Sequence, residues 1–276
     1  MPAAVRYSVA SDDGTRIAVH RSGAGPPLVL VHGTTADHTR WVRVAPEFAR
    51  HFTVHAMDRR GRGGSGDSDA YSIEREAEDI VAVAVQAGDD VTVLGHSYGG
   101  LCCLEAALQI PALRRLVLYE PPLPVGLPIA TPELEAELEA LIQRDEREEA
   151  LLAFFRGVVK APEEQLAVMK EHPAWPGRVA AAHTLVRETR VEGTYRFDVE
   201  RLRGLKVPTL LLMGSDSPAF LREPTLRLNA LIPNSRIHEM AGQQHGAMDM
   251  ISAEFVRIVT TFVLGEIRMQ HDGSGP

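Results

Sequence analysis

The feature that most constrains this chain is the stretch from Val91 to Gly100, where the apolar run Val91-Thr92-Val93-Leu94 breaks at Gly95-His96-Ser97-Tyr98-Gly99 and passes directly into Leu101, Cys102, Cys103, Leu104 and Ala106. Four β-favouring positions, a glycine-rich break and a helical pattern predict strand, tight turn and helix in that order. Such a turn pushes the Ser97 side chain out at the top of a sheet, where it is available as a nucleophile. The alternative is a turn serine that only caps the following helix. Gly-x-Ser-x-Gly is too short a pattern to decide between them, so the rest of the chain must.

Further short apolar runs at Pro27 to Val31, Phe52 to Met57 and Leu116 to Tyr119 match the one before Ser97 in length. Nearly continuous runs of this kind suit strands covered on both faces of a parallel sheet. Helical patterns lie between them, one at Ile73 to Ala87 with Ser72 as its cap. Alternating strands and helices predict an α/β fold. Ahead of this series, Arg6 to Val9 and Arg16 to His20 flank Asp12-Asp13-Gly14 and read as a hairpin.

After Glu120 the pattern changes, because Pro121, Pro122, Pro124, Pro128 and Pro132 interrupt it. Helical segments follow from Thr131, from Leu151 to Lys160, from Pro162 to Glu171 and from Gly177 to Glu188. Thr131-Pro132-Glu133 combines a cap, a first-turn proline and an early acid. Between Thr131 and Ala150 eight acidic residues stand against two basic ones, with Leu134, Leu138, Leu141 and Ile142 at helical spacing, the pattern of a solvated helix face. Strand-like runs resume at Thr209 to Met213 and Arg236 to Met240, before a last helix from Ser252 to Leu264. The expected organisation is a core of residues 1–122 and 196–268, a helical lid of residues 123–195 and a disordered tail of residues 269–276.

At 276 residues and 45% hydrophobic content the chain can bury a large core. Its net charge of -8 gives no basic footprint and argues against nucleic acid or an anionic membrane as partner. Cys102 and Cys103 are its two cysteines, adjacent within one predicted helix, which excludes a disulfide framework. With no signal-peptide pattern and no apolar run near the ~18 residues of a membrane span, a cytoplasmic protein is the default. A homodimer is left open.

Serine chemistry needs a base far along the chain on a loop that returns to the sheet. Of eleven histidines, His245 in Gly242-Gln243-Gln244-His245-Gly246 stands in that place, between the last strand and the last helix. It also needs backbone donors for a developing oxyanion. Val29-Leu30-Val31-His32-Gly33-Thr34 ends a strand such that the Thr34 N–H can pair with the Tyr98 N–H.

With the His32-Gly33 turn, the segment Asp58-Arg59-Arg60-Gly61-Arg62-Gly63-Gly64-Ser65, the turn at Ser97 and the His245 loop in this order, the chain resembles the α/β-hydrolase superfamily over nearly its whole length. The resemblance implies an eight-stranded, mostly parallel sheet flanked by helices, with a helical lid insertion. It also implies that Gly61 to Gly66 is a structural loop, consistent with its lack of a P-loop lysine.

Most members carry the orienting acid after the seventh strand, three residues past a glycine, where this chain has Ser217 in Gly214-Ser215-Asp216-Ser217. Asp216 is one residue early. Glu120, at the end of the sixth strand, matches a subset that includes zearalenone lactonases and some dehalogenases. The expected triad is therefore Ser97, His245 and Glu120, with Asp216 the alternative acid.

A serine nucleophile argues against the aspartate-based dehalogenase and epoxide hydrolase reactions of this fold. It fits a carboxylic ester or lactone cleaved through an acyl-enzyme. C–C hydrolysis of a diketone-like substrate and non-catalytic ligand reception are the alternatives. Trp175, His183, Leu123 and Phe154 are candidate substrate contacts, joined by His172 and Phe155. No metal cluster or dinucleotide fingerprint is apparent, so neither cofactor nor metal is expected.

Overall fold

The computed structural model describes residues 5–124, 130–196 and 198–265. Eight strands form one sheet: β1 (Val5–Ala10), β2 (Arg16–Gly23), β3 (Pro27–Val31), β4 (Thr53–Met57), β5 (Val91–His96), β6 (Leu113–Tyr119), β7 (Thr209–Gly214) and β8 (Ser235–Met240). Their order is β1-β2-β4-β3-β5-β6-β7-β8, with β2 antiparallel to both its neighbours and every later pairing parallel. The β1–β2 hairpin turns where expected, with Ser11 N–H on Thr15 O at 2.8 Å and Gly14 at φ +83°.

Burial explains why the central strands read as continuous apolar runs. Val29, Val31, Val93, Leu116 and Leu118 share one core with Ile80, Val83, Leu101 and Leu104. Those partners come from α2 (Ile73–Ala87) and α3 (Tyr98–Ala107), which follow the short α1 (Ala45–Phe48) in sequence. The alternate residues Leu28, Leu30, Leu94, Val117, Leu210 and Leu212 share a second core with Phe48 of α1 and with Phe255, Val259 and Phe262. Each fully buried side chain of this size contributes about 1.5–3 kcal/mol, so both faces must be covered.

The segment between β6 and β7 contributes α4 (Pro132–Gln143), α5 (Arg147–Phe154), α6 (Glu163–Lys170), α7 (Trp175–Ala180) and α8 (Leu185–Thr194). They close on an apolar cluster of their own, around Leu138, Leu151, Phe155, Leu166, Trp175 and Leu185. The Thr131 side chain accepts from Leu134 N–H at 3.3 Å and starts α4 as its sequence suggests. A π-helical turn, Phe155–Val159, follows α5 and stops at Lys160, whose φ of +58° cannot continue a helix. The remaining helices are α9 (Val199–Gly204), α10 (Ala219–Leu231), α11 (Ala247–Met250) and α12 (Ser252–Leu264). The proposed tail lies outside the described residues. Among the described residues no helix is long and apolar enough to cross a membrane.

The Gly61 to Gly66 loop joins the inserted helices to the sheet rather than cradling an anion. Asp58 accepts the backbone N–H groups of His38 and Gly64, both at 2.8 Å. Arg59 pairs with Glu76 and Glu188, Arg60 with Asp79 and Asp13, and Arg62 with Glu188 and the Thr184 hydroxyl. Glu188 belongs to α8, so its carboxylate couples the insertion to the loop after β4.

Candidate active site

β5 ends at His96, and Ser97 takes φ +55° and ψ −130° before α3 begins. A non-glycine residue held there costs about 1–3 kcal/mol, and the surroundings must impose it. Ser97 N–H donates to Tyr119 O at 2.9 Å, and Ser97 O accepts from Gly100 N–H at 2.7 Å. A Cβ at Gly99 would lie 2.2 Å from His32 O, and one at Gly33 would lie 2.8 Å from the Ser97 Cβ. Only glycines allow the end of β3 to press against this turn.

That contact places Thr34, which follows Gly33, on the same cavity wall as Ser97. Tyr98 opens α3, so its backbone N–H belongs to the unpaired first turn of a helix. The Tyr98 ring is buried, its hydroxyl 2.8 Å from that of Tyr71 and its face 4.7 Å from the Arg59 guanidinium. His32 fixes the loop from behind: Nδ1–H donates to Gly33 O at 2.9 Å, and Nε2 accepts from Arg59 N–H at 3.1 Å. Burial, with the Arg59 and Arg62 charges adding to it, lowers the His32 pKa to about 3 and keeps the ring neutral.

Glu120 is fully buried at the end of β6, with φ +45°. One carboxylate oxygen accepts from Gly214 N–H at 2.8 Å, and the other from His245 Nδ1–H at 2.6 Å. Asp216 is exposed and its carboxylate accepts instead from the Ser215 hydroxyl at 2.7 Å. The structure therefore brings Glu120, not Asp216, to the imidazole. His245 remains 30% exposed and lines the cavity with Ser97.

Three of the contacts that hold the His245 loop come from Tyr119 and His96. The Tyr119 hydroxyl donates to Gln244 O and accepts from Ala247 N–H at 3.1 Å. His96 Nε2–H donates to His245 O at 2.9 Å, and the two imidazole centroids are 4.4 Å apart. Burial, and then the neighbouring His245 and Arg40, push His96 well below the usual imidazole value. His96 is thus a neutral brace, identifiable in sequence only as the residue preceding Ser97.

The cavity over Ser97 has a volume of about 460 Å³, large enough for a small organic substrate. Of the four side chains expected to meet substrate, Phe154 lines it, as do Phe155 and His172, whereas Trp175, His183 and Leu123 do not. Trp175 is drawn into the core of the inserted helices, stacked at 6.2 Å on Phe155 with its indole N–H on Glu148 at 2.8 Å. His183 is turned outward to Ala180 O at 3.0 Å and Asp67 at 3.4 Å, and Leu123 is buried in the core that includes the apolar residues of α2 and α3. Arg40, Arg178 and Glu192 line the cavity without having been expected there.

One group among the described residues has metal-ligating spacing: His20, His38 and Asp58. The two rings stack at 3.4 Å, and Asp58 is already engaged by backbone N–H groups and His38, so the cluster reads as a loop anchor.

The model of the alpha/beta hydrolase family matches residues 28–258. The chain belongs to the alpha/beta hydrolase family. Its structure superposes on an alpha/beta hydrolase from Sphaerobacter thermophilus with a TM-score of 0.82 and 36% identity, covering 93% of this chain and 99% of that one. An esterase from a Rhodococcus species is similar at TM-score 0.74 and 26% identity, covering 94% and 98%. In sequence, the 2-hydroxy-6-oxo-2,4-heptadienoate hydrolase of Pseudomonas putida is 28% identical over 271 residues, 92% of this chain and 94% of that protein. The eight-stranded, mostly parallel sheet expected from sequence is the sheet observed.

Proposed function

We propose that this hydrolase cleaves a carboxylic ester or lactone through an acyl-enzyme on Ser97. The observation that carries this reading is the buried Glu120 carboxylate 2.6 Å from His245 Nδ1, on a histidine that shares one cavity with a conformationally strained serine. With Nδ1–H committed to Glu120, the free ring nitrogen is Nε2, which takes the Ser97 proton as Oγ attacks the carbonyl carbon. The Thr34 and Tyr98 N–H groups receive the developing oxyanion. Collapse expels the alcohol, which leaves with the proton from His245, and water then repeats the sequence to release the acid. For a lactone the leaving alcohol stays tethered and the product is a hydroxy acid.

C–C bond hydrolysis is the second reading, favoured by the similarity over nearly the full length to the heptadienoate hydrolase. The same groups would then expel a carbon leaving group, and mass spectrometry of the products separates the two. The test of the proposal is a panel of esters and lactones of increasing size with Ser97→Ala as the blank, together with covalent labelling by a fluorophosphonate. Turnover lost in Ser97→Ala and a label on Ser97 support it. Turnover retained in the variant, or a label elsewhere, overturns it.

A further inference from the structure

The cavity wall carries three cationic and three acidic side chains. Arg40, Arg43 and Arg178 line it, and the acidic members of the wall are Asp37, Asp249 and Glu192. Arg40 is already paired with Asp249 at 2.6 Å. Burial, and then the Glu188 charge, raise the Glu192 carboxyl well above the usual carboxylate range.

Arg178 differs from Arg40 in lacking an acidic partner among the described residues and from the exposed Arg43 in being partly buried. It reaches from α7 to the loop after β3, where its Nη1 donates to the neutral Thr35 hydroxyl at 3.0 Å. Among the described residues no carboxylate lies within ion-pair distance of it, and Asp249 and Asp37 act on it only from farther away. Burial, and then Arg40, lower its pKa to about 10, and the guanidinium stays charged at neutral pH. Beside it are apolar walls, with the Phe155 ring centroid 5.8 Å from the guanidinium carbon. Thr35 directly follows Thr34, so the cation is fastened to the segment that abuts Ser97.

A partly desolvated guanidinium with one neutral partner has unused donors arranged as a fork, which suits a carboxylate. We propose that Arg178 receives a carboxylate of the substrate, so that the enzyme acts on an ester or lactone that carries a second, ionised acid group. This specifies the substrate class of the Ser97 site and rests on the serine-hydrolase reading above. Arg178 binds the substrate and has no part in the bond-making steps.

Two matched probe pairs test it, one placing the charge on the acyl part and one on the alcohol part: the p-nitrophenyl monoesters of glutaric and valeric acid, and 4-acetoxybenzoate with 4-acetoxybenzamide. In at least one pair the wild type favours the anion at least about tenfold in kcat/KM, mostly through KM. Arg178→Gln abolishes the preference, and Arg178→Lys restores part of it. Free glutarate slows fluorophosphonate labelling of the wild-type protein and glutaramide does not, a readout that needs no variant to fold. No anion preference in either pair, a preference that survives in Arg178→Gln, or equal protection by glutarate and glutaramide overturns the proposal. Failure of Ser97 itself to label would instead overturn the serine reading.

Discussion

Glu120 and His245 stand 125 positions apart in sequence and 2.6 Å apart in space, with the Glu120 carboxylate held at its other oxygen by Gly214 N–H. β6 and β7 are adjacent parallel strands, so an acid at the end of either is close to the loop after β8. The exposed Asp216 hydrogen-bonds its neighbour Ser215, which leaves the position beside His245 to Glu120.

The first prediction separates these two acids. Glu120→Gln lowers kcat about 10³–10⁴-fold, the loss expected when the orienting carboxylate becomes an amide and the imidazole takes the wrong tautomer. Asp216→Ala leaves kcat within about twofold, as suits an exposed side chain away from the imidazole. Ester turnover and the rate of fluorophosphonate labelling report both. The opposite ranking would move the acid to the end of β7.

The Glu188 carboxylate predicts how the inserted helices are held. Arg59 and Arg62, both without solvent exposure, meet one Glu188 oxygen, and their charges lower its pKa to about 2 although burial alone would raise it. Glu188→Gln leaves Arg62 without a carboxylate and should cost about 3–5 kcal/mol of unfolding free energy in urea titration. Arg190→Gln breaks the exposed pair of α8 with Glu139 and should cost under about 1 kcal/mol. Equal losses would mean that the buried network contributes no more than a surface pair.

The strands were readable in sequence because both faces of the sheet are covered, which forces apolar residues at consecutive positions such as Leu28, Val29, Leu30 and Val31. α2 was readable because Ser72 caps it and Ile73, Ala77, Ile80 and Ala84 repeat at helical spacing. α10 was not, since Pro224 lies inside it and only Leu221, Leu228 and Leu231 among its large apolar residues are buried. The cavity wall was least readable of all. Trp175 and Phe154 belong to one helical cluster, and which of them faces Ser97 depends on how that cluster seats on the sheet, information that no local spacing holds. Arg178 had no sequence signal, because its meaning comes from Thr35, more than a hundred residues away.

His32 gives the pH prediction. Its folded pKa of about 3 lies below the unfolded value of 6.5, so between these limits the unfolded chain binds a proton that the native ring refuses. Stability from this group is complete above about pH 6.5 and is lost as pH falls toward 3, at about 1.4 kcal/mol per pH unit. His32→Gln removes that slope, so its unfolding free energy should vary less steeply than the wild type's between about pH 6 and 4. Asp79, raised to about 6 chiefly by burial, works in the opposite sense, and it cancels because both proteins contain it. Parallel slopes would show that His32 does not titrate differently on unfolding.

Tyr119 supports a prediction that divides position from charge. Its hydroxyl bridges Gln244 O and Ala247 N–H, the two sides of His245, while burial raises its pKa and keeps it protonated. Tyr119→Phe keeps the buried ring but leaves a carbonyl and an amide N–H unpaired, at a cost of about 1–3 kcal/mol. The loop then loses the two contacts that flank His245 while keeping His96 on the His245 carbonyl and Glu120 at Nδ1, so kcat should fall about tenfold with KM nearly unchanged. The pH dependence of kcat should keep its midpoint, because the phenol is not a titrating partner near neutrality. Steady-state kinetics across the pH range checks both, and a shifted midpoint with an unchanged maximal kcat would show that Tyr119 acts on the ionisation of His245 rather than on its placement.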